Sequence, residues 1–321
     1  MKRFFLLFLL VSLSLKSFCW GFFAHKKINN YAVFLLPPQM LLFYKPNIEF
    51  ISEHAVDPDR RRSVIPDEAA KHYIDIDHYG KYPFAGLPRI WDSAIAKYGK
   101  DTLTAYGIAP WNILGTLTKL TEAFKEKNFS KILRASADIG HYIADAHVPL
   151  HCCTNHNGQL SDQKGIHAFW ESRVPELLAD KDFDFFIGKA EYIQRPGEYI
   201  WNRVLESAKA SDSVLLIEKE LSKQFPSDKK YSFEKRNGLN VRQYSSAYTI
   251  AYNNRLNGMV ERRMRSAIYT IASFWYTAWV NAGQPDLKQL SKQKFSEADL
   301  KEFEQFNQSW KNPGLKVREH E

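Results

Sequence analysis

The stretch SSAYTIAYNNRLNGMVERRMRSAIYTIASFWYTAWVN, residues 245–281, decides the fold class. Leu256, Val260, Met264, Ala267, Ile271, Phe274 and Ala278 recur every three or four residues, which on a helix makes one apolar stripe, and Arg255, Arg262 and Arg265 fall off it. The spacing predicts one long core helix from Ser245 to Asn281, its tyrosines and tryptophans serving packing. Working outward, Trp111 to Lys125 repeats the pattern with Ile113, Leu117, Leu120 and Phe124, and Phe22 to Leu36 is a further candidate. Ser130 can cap a helix reaching about His147, where Pro149 ends it, and another runs from about Lys164 to Leu178. Asp180 to Arg242 reads as short helical pieces among Pro-, Gly- and Lys-rich loops, and no convincing set of alternating strands appears. The expected fold is all-α: a single multi-helix domain over residues 20–283, followed by a polar extension, 284–321, made of an appended helix and a loose tail.

The chain has 321 residues, 45% of them hydrophobic, enough to bury a substantial core. Its start has the pattern of a secretory signal. Lys2 and Arg3 precede an apolar run, Phe4 to Leu15, that is too short to span a bilayer, and Ser17 and Cys19 supply the small residues read by a signal peptidase. Residues 1–19 are therefore expected to be removed, leaving an exported chain, periplasmic or secreted, that begins with Trp20. Removal takes Lys2, Arg3 and Lys16 from a net charge of +8, and the remaining mild basicity is spread along the chain and selects no substrate. Of three cysteines, Cys19 leaves with the signal, and the adjacent Cys152 and Cys153 have poor geometry for a bridge, so stability must come from core and ligands.

Histidine placement is the informative chemical signal. Eight of the ten histidines, all except His25 and His320, fall between residues 54 and 167. In His141-Tyr-Ile-Ala-Asp145 an imidazole and a carboxylate stand four residues apart, on one helical face within reach of one ion, and His167-Ala-Phe-Trp-Glu171 repeats the device. Such a pair alone is usually a surface ion pair or a satisfied core histidine. Two pairs with His151 between them, just after Pro149, form a set of nitrogen and oxygen ligands suited to zinc. Upstream, Glu53-His-Ala-Val-Asp57-Pro-Asp59 and Lys71-His72-Tyr-Ile-Asp75 add candidates; Asp57 and Asp59 also read as turn or cap residues around Pro58.

The order His141-x-x-x-Asp145, His151, then His167-x-x-x-Glu171 resembles the zinc-dependent phospholipase C and single-strand-specific nuclease superfamily over most of the mature chain. The resemblance implies an all-α fold with a cluster of three zinc ions at the bottom of a cleft. It implies that Asp57, His72, His141 and Asp145 hold one zinc, that His151, His167 and Glu171 hold a second, and that Trp20, His25 and Asp145 hold the third. Trp20 would bind through its free amino group and carbonyl, so the signal must be cut before the site is complete. Asp57 is preferred to Asp59 because its interval to His72 resembles the family's, and it would also be the general base or water-orienting carboxylate. His54, His78, His147 and His156 fit no ligand position, and His147 and His156 are expected nearest the site.

The implied function is hydrolysis of a phosphodiester by a metal-activated water, phospholipase C-like. A single-strand-specific nuclease acting on DNA or RNA is the alternative with the same metal core. Glu171 and the short interval from His151 to His167 look like the phospholipase branch; Trp170 within the second pair and the polar Asn155 to Gln159 insert look like the nuclease branch. The expected partner is the substrate, a phospholipid headgroup or single-stranded nucleic acid, and no stable protein partner is inferred. A non-catalytic zinc-binding envelope protein is the reading from another class. Against it, about ten ligands for three ions leave coordination positions for water and substrate.

Overall fold

The computed structural model describes residues 21–236 and 239–311; the expected signal peptide and Trp20 lie outside the described residues. The chain is mostly helical. Gly21–Val33 (α1) leads into short helices Pro38–Tyr44 (α2), Ile48–Glu53 (α3) and Asp57–Arg61 (α4), and then Trp91–Tyr98 (α5) and Lys100–Ala105 (α6). The long pair Ala109–Lys125 (α7) and Phe129–Ala146 (α8) follows. Ile166–Ala168 (α9) runs through a π-helical turn, Phe169–Arg173, into Val174–Leu178 (α10), so the expected helix from about 164 to 178 is present with a widened middle. Pro196–Gln224 (α11), Ser246–Arg255 (α12), Met259–Asn281 (α13) and Glu297–Ser309 (α14) complete the order.

The apolar stripe of the opening stretch forms the centre of the core, with Val260, Met264, Ala267, Ile271, Phe274 and Ala278 fully buried. It does not belong to one helix. Asn257 (φ 49°) and Gly258 (φ 71°) adopt left-handed backbone, which ends α12 and starts α13 afresh. The cap of α8 also differs from expectation: Asn128 accepts from the Lys131 amide at 3.0 Å, and Ser130 instead donates to Asp299 of α14 at 2.6 Å.

Two elements depart further from the sequence reading of residues 180–242. The 29-residue α11 buries Ser207, Ser211 and Glu218 together with Ile200, Trp201, Val204, Val214 and Leu221, so polar side chains dilute its apolar period. Ser207 donates to Ala146 O at 2.6 Å, and Glu218 accepts from Gln163, Tyr248 and Lys230 at 2.6–2.9 Å, which makes those positions polar but satisfied. A two-stranded antiparallel hairpin, Tyr231–Arg236 (β1) with Leu239–Tyr244 (β2), has no buried side chain among those described and exposes Phe233 and Leu239, so it lacks the apolar-in, polar-out alternation that marks a half-buried strand. Among the described residues no helix is long and apolar enough to cross a membrane.

The C-terminal extension packs on the helical body as far as it is described. Leu287 and Leu290 are buried, Phe295 packs against Phe50 and Phe129, and a Ser296–Asp299 capping box starts α14.

One close approach positions everything that follows. α1 crosses α8 where Asn29, fully buried, donates to Ile51 O and Ala137 O and lies against Gly140. A Cβ at Gly140 would stand 2.2 Å from Asn29 Oδ1, so only glycine allows the two helices to come this near. Gly140→Ala should cost about 1–3 kcal/mol through overpacking. It should also loosen the stacking of His25 on His141, and thermal unfolding of wild type and variant with and without chelator is the check. An unchanged melting temperature would disprove the constraint.

Candidate metal centre

Six stretches of chain converge behind that crossing. His25 comes from α1, Asp59 from α4, His72 from the 3-10 turn Ala69–His72, and His141 and Asp145 from α8. His151 follows from the turn Pro149–Cys152, and His167 and Glu171 come from α9 and the π-helical turn. All are buried, and His72, His141, Asp145 and His167 have no exposed surface at all.

Asp145 is the hub. Its Oδ2 lies 2.9 Å from His72 Nδ1 and 3.2 Å from His141 Nε2, while its Oδ1 faces His25 Nε2 at 3.4 Å and His151 Nε2 at 3.9 Å. Beside Oδ2, Asp59 Oδ1 stands 3.6 Å from His72 Nδ1 and 3.7 Å from His141 Nε2. Farther along, His151 Nε2 and His167 Nε2 are 3.2 Å apart, and Glu171 Oε2 is within 3.4 Å of both. Three groups result, each with ligand atoms within 4.8 Å of one another and each able to hold a metal ion: Asp59, His72 and His141; His25, His141 and Asp145; His151, His167 and Glu171.

The chemistry of these atoms calls for cations. A backbone carbonyl only accepts, so the contacts of His141 Nδ1 to Ala55 O (2.8 Å), His151 Nδ1 to His72 O (2.6 Å) and His167 Nδ1 to His156 O (2.8 Å) place a proton on each Nδ1. In the neutral ring the Nε2 lone pair then points inward, toward carboxylates and other imidazoles. Lone pairs at 3.0–3.4 Å from one another repel unless a proton or a metal ion lies among them. Both oxygens of Asp59, Oδ1 of Asp145, Oε2 of Glu171 and both ring nitrogens of His25 are buried without a hydrogen bond. In native interiors such groups are rare, and a metal ion is one of the few species that satisfies them together.

Electrostatics agrees with this arrangement. Burial lowers His25 to about 4 and His72 to about 3, so both are neutral and able to ligate. For Asp145, burial pushes upward, but His141 and His151 outweigh it and hold the carboxyl well below its usual range. For Asp59 burial prevails over His141 and raises it to about 6. Burial also works against a charged His141, yet Asp145 and Asp59 raise it to about 9.

The structure distinguishes the two upstream carboxylates. Asp57 and Asp59 are two positions apart on α4 and so point to different faces. Asp57 is turned to the outer side, taking His54 Nδ1 at 2.6 Å and Arg60 Nη1 at 2.9 Å, and stands in none of the three groups. Asp59, not the expected Asp57, stands beside His72 and His141, with Arg62 Nη1 at 3.9 Å as a flanking charge. His156 lies at the site through its carbonyl. His147 does not: it is a core histidine, bonded to Ile143 O at 2.8 Å and Ser266 Oγ at 3.1 Å, its carbonyl held by Arg263. His78 stacks on Tyr106 and His54 on Phe50.

The group around His25 has a shortfall. It shares His141 with the Asp59 group, and an imidazole Nε2 has one lone pair, so His141 serves a single ion. With His141 given to Asp59 and His72, the His25 position keeps His25 and Asp145 Oδ1. The amide of Gly21, the first described residue, meets Ser172 Oγ at 3.0 Å, one residue beyond Glu171, which brings the start of the described chain to this side of the cluster.

Positioning rests on polar supports invisible to periodicity. Ile74 N donates to His151 O at 2.9 Å while His151 Nδ1 donates to His72 O, a two-way lock between the two loops. Glu68 accepts from Tyr142 of α8 and, at 2.5 Å, from Lys71, fixing the turn that carries His72. Asn157 Oδ1 accepts from Gly165 N at 2.9 Å and steadies the loop before His167.

No protein-family model matches the chain, and no curated protein matches it.

A proton and a cation compete for Nε2 of His141, so the sign of the pH effect is fixed. Near neutral pH, metal binding should release a proton, and affinity should rise with pH by about tenfold per unit until His141 titrates near 9. Calorimetric zinc titration of metal-free protein in buffers of different ionisation enthalpy measures the release; heats independent of the buffer would contradict it.

Proposed function

We propose that the chain is an exported hydrolase of phosphodiester bonds that holds three zinc ions. The observation that carries this reading is the convergence of buried imidazole nitrogens and carboxylate oxygens on Asp145, with both Asp59 oxygens lacking any donor. Nitrogen and carboxylate donors with no thiolate, in groups of three, two of which share His141, suit zinc sites that keep a coordination place open for chemistry. Zinc bound there would supply Lewis acidity toward a phosphoryl oxygen and a water acidic enough to attack at neutral pH.

The chain's own groups divide the remaining work. Asp145, with Oδ2 toward His72 and Oδ1 toward His25, would serve as a ligand in both neighbouring positions. The Nδ1–H bonds of His141, His151 and His167 hold three rings in the ligating tautomer before metal arrives. Asp59, raised to about 6 by burial, takes the role of proton acceptor and water-orienting carboxylate that the sequence assigned to Asp57. The free amine of Trp20 would complete the position where the described residues supply only His25 and Asp145. Cleavage of residues 1–19 then couples export to activation.

Phospholipid is the first substrate on this reading and single-stranded nucleic acid the alternative. Purified mature chain offered phosphatidylcholine, single-stranded DNA and RNA, each with chelator and then zinc, tests both. Zinc-restored cleavage of one substrate supports the function, while fully loaded protein that cleaves none refutes it. Asp59→Asn should lower turnover by about 10²–10⁴-fold, whereas Asp57→Asn should have a much smaller effect. A two-residue extension before Trp20 should reduce bound zinc from three ions to about two, read by metal analysis of the purified protein. Retention of all three would remove the amine from the site.

A further inference from the structure

A second set of buried donors without acceptors lies apart from the metal groups and shares no residue with them. A groove of about 970 Å³ runs between α7 and α11, walled by Trp91, Trp111, Trp201, Ile108 and Leu114. The three indoles form one aromatic array: Trp111 is 5.3 Å from Trp91 and meets Trp201 edge-on at 5.0 Å. Arg89, which also lines the groove, lays its guanidinium over Trp201, 4.2 Å from the ring centroid.

The polar groups of this wall are only half used. Trp111 Nε1 donates to Arg89 O at 2.9 Å, and Arg89 Nη2 donates to Pro83 O at 3.1 Å. Arg89 Nη1, Trp201 Nε1 and Asn112 Nδ2 are buried without a partner, and Trp201 is only 4% exposed. Three residues that line one groove thus each carry an unmet donor, the kind of group that an acceptor-rich head satisfies. The one carboxylate among the lining residues, Glu198, is taken by Arg195 at 2.8 Å. At Gly115 a Cβ would meet nothing within 4 Å, so the groove is open above it.

We propose that this groove is a binding site for a small organic anion with an apolar body, its carboxylate or phosphate held by Arg89, Trp201 and Asn112 and its body lying on the indoles. The volume matches that of small-molecule pockets, about 300–1,000 Å³. Because Arg89 is the sole cation among the lining residues, it supplies the preference for a negative head, and the tryptophans supply the affinity for the body. The site stands or falls independently of the phosphodiesterase reading.

The test uses the purified mature chain and two probes with the same rings, anionic 8-anilinonaphthalene-1-sulfonate and neutral N-phenyl-1-naphthylamine. The sulfonate should bind saturably at a single site and quench tryptophan emission. Arg89→Gln should weaken it by about tenfold while changing the neutral probe by less than about twofold. Gly115→Phe, which fills open space, should abolish both with far-ultraviolet dichroism and melting unchanged. Trp201→Phe, which removes the donor and keeps most of the packing, should weaken the sulfonate probe several-fold and gives a second readout should the larger substitution unfold the chain. Competition by decanoate or by decyl phosphate at the lower concentration then assigns the head as carboxylate or phosphate. Absence of saturable binding, or binding that neither Arg89→Gln nor Trp201→Phe alters, overturns the proposal.

Discussion

A carboxylate with no exposed surface has to be answered by positive charge, and Asp145 has to be answered on both oxygens. That requirement accounts for much of the arrangement around it. α1 is drawn against α8 so that His25 can reach Oδ1, and the closeness of that crossing explains a glycine at 140 with a buried Asn29 opposite. The turn bearing His72 is pinned to α8 through Glu68, Lys71 and Tyr142, and the turn bearing His151 is pinned in turn to His72. Three of the five rings, His141, His151 and His167, are fixed by backbone carbonyls, which helps the core tolerate so much buried polarity.

The helices most legible in the sequence are those with an unbroken apolar stripe on the buried face, even where polar residues such as Thr116 of α7 and Arg263, Thr270, Ser273 and Thr277 of α13 are buried beside it. α7 and the stripe of α13 announce themselves because Leu, Ile and Phe recur without interruption. α11 does not, since its inner face spends Ser207 and Glu218 on hydrogen bonds to other elements and Ser211 on one to the Ala208 carbonyl of its own helix. The break at Asn257 and Gly258 was written in the sequence as an Asn-Gly pair, a turn signal that the strong apolar period on either side masked.

The ligand set was legible because metal chemistry restricts both residue type and spacing. His141 with Asp145 and His167 with Glu171 could be read from i, i+4 geometry alone, although the second pair spans a π-helical turn that no spacing reveals. The choice between Asp57 and Asp59 was not legible, because both flank Pro58 and interval alone carries no orientation. It is decided by a neighbour, since Arg60 and His54 claim Asp57 and leave Asp59 to turn inward. The supporting carbonyls of Ala55, His72 and His156 have no sequence signature whatever, because any residue supplies one.

Cys152 and Cys153 are free and buried, so the described chain has no covalent cross-link. The eight candidate ligands, spread from position 25 to 171 with only His141 and Asp145 sharing a regular helix, could instead hold ions that would tie together loops an unfolded chain would leave open, much as disulfides do. Unlike disulfides, these ties exchange with the surroundings. Where ions are held there, the strength of the fold would follow the supply of metal around the protein, and withdrawing metal would loosen the loops as well as empty the site.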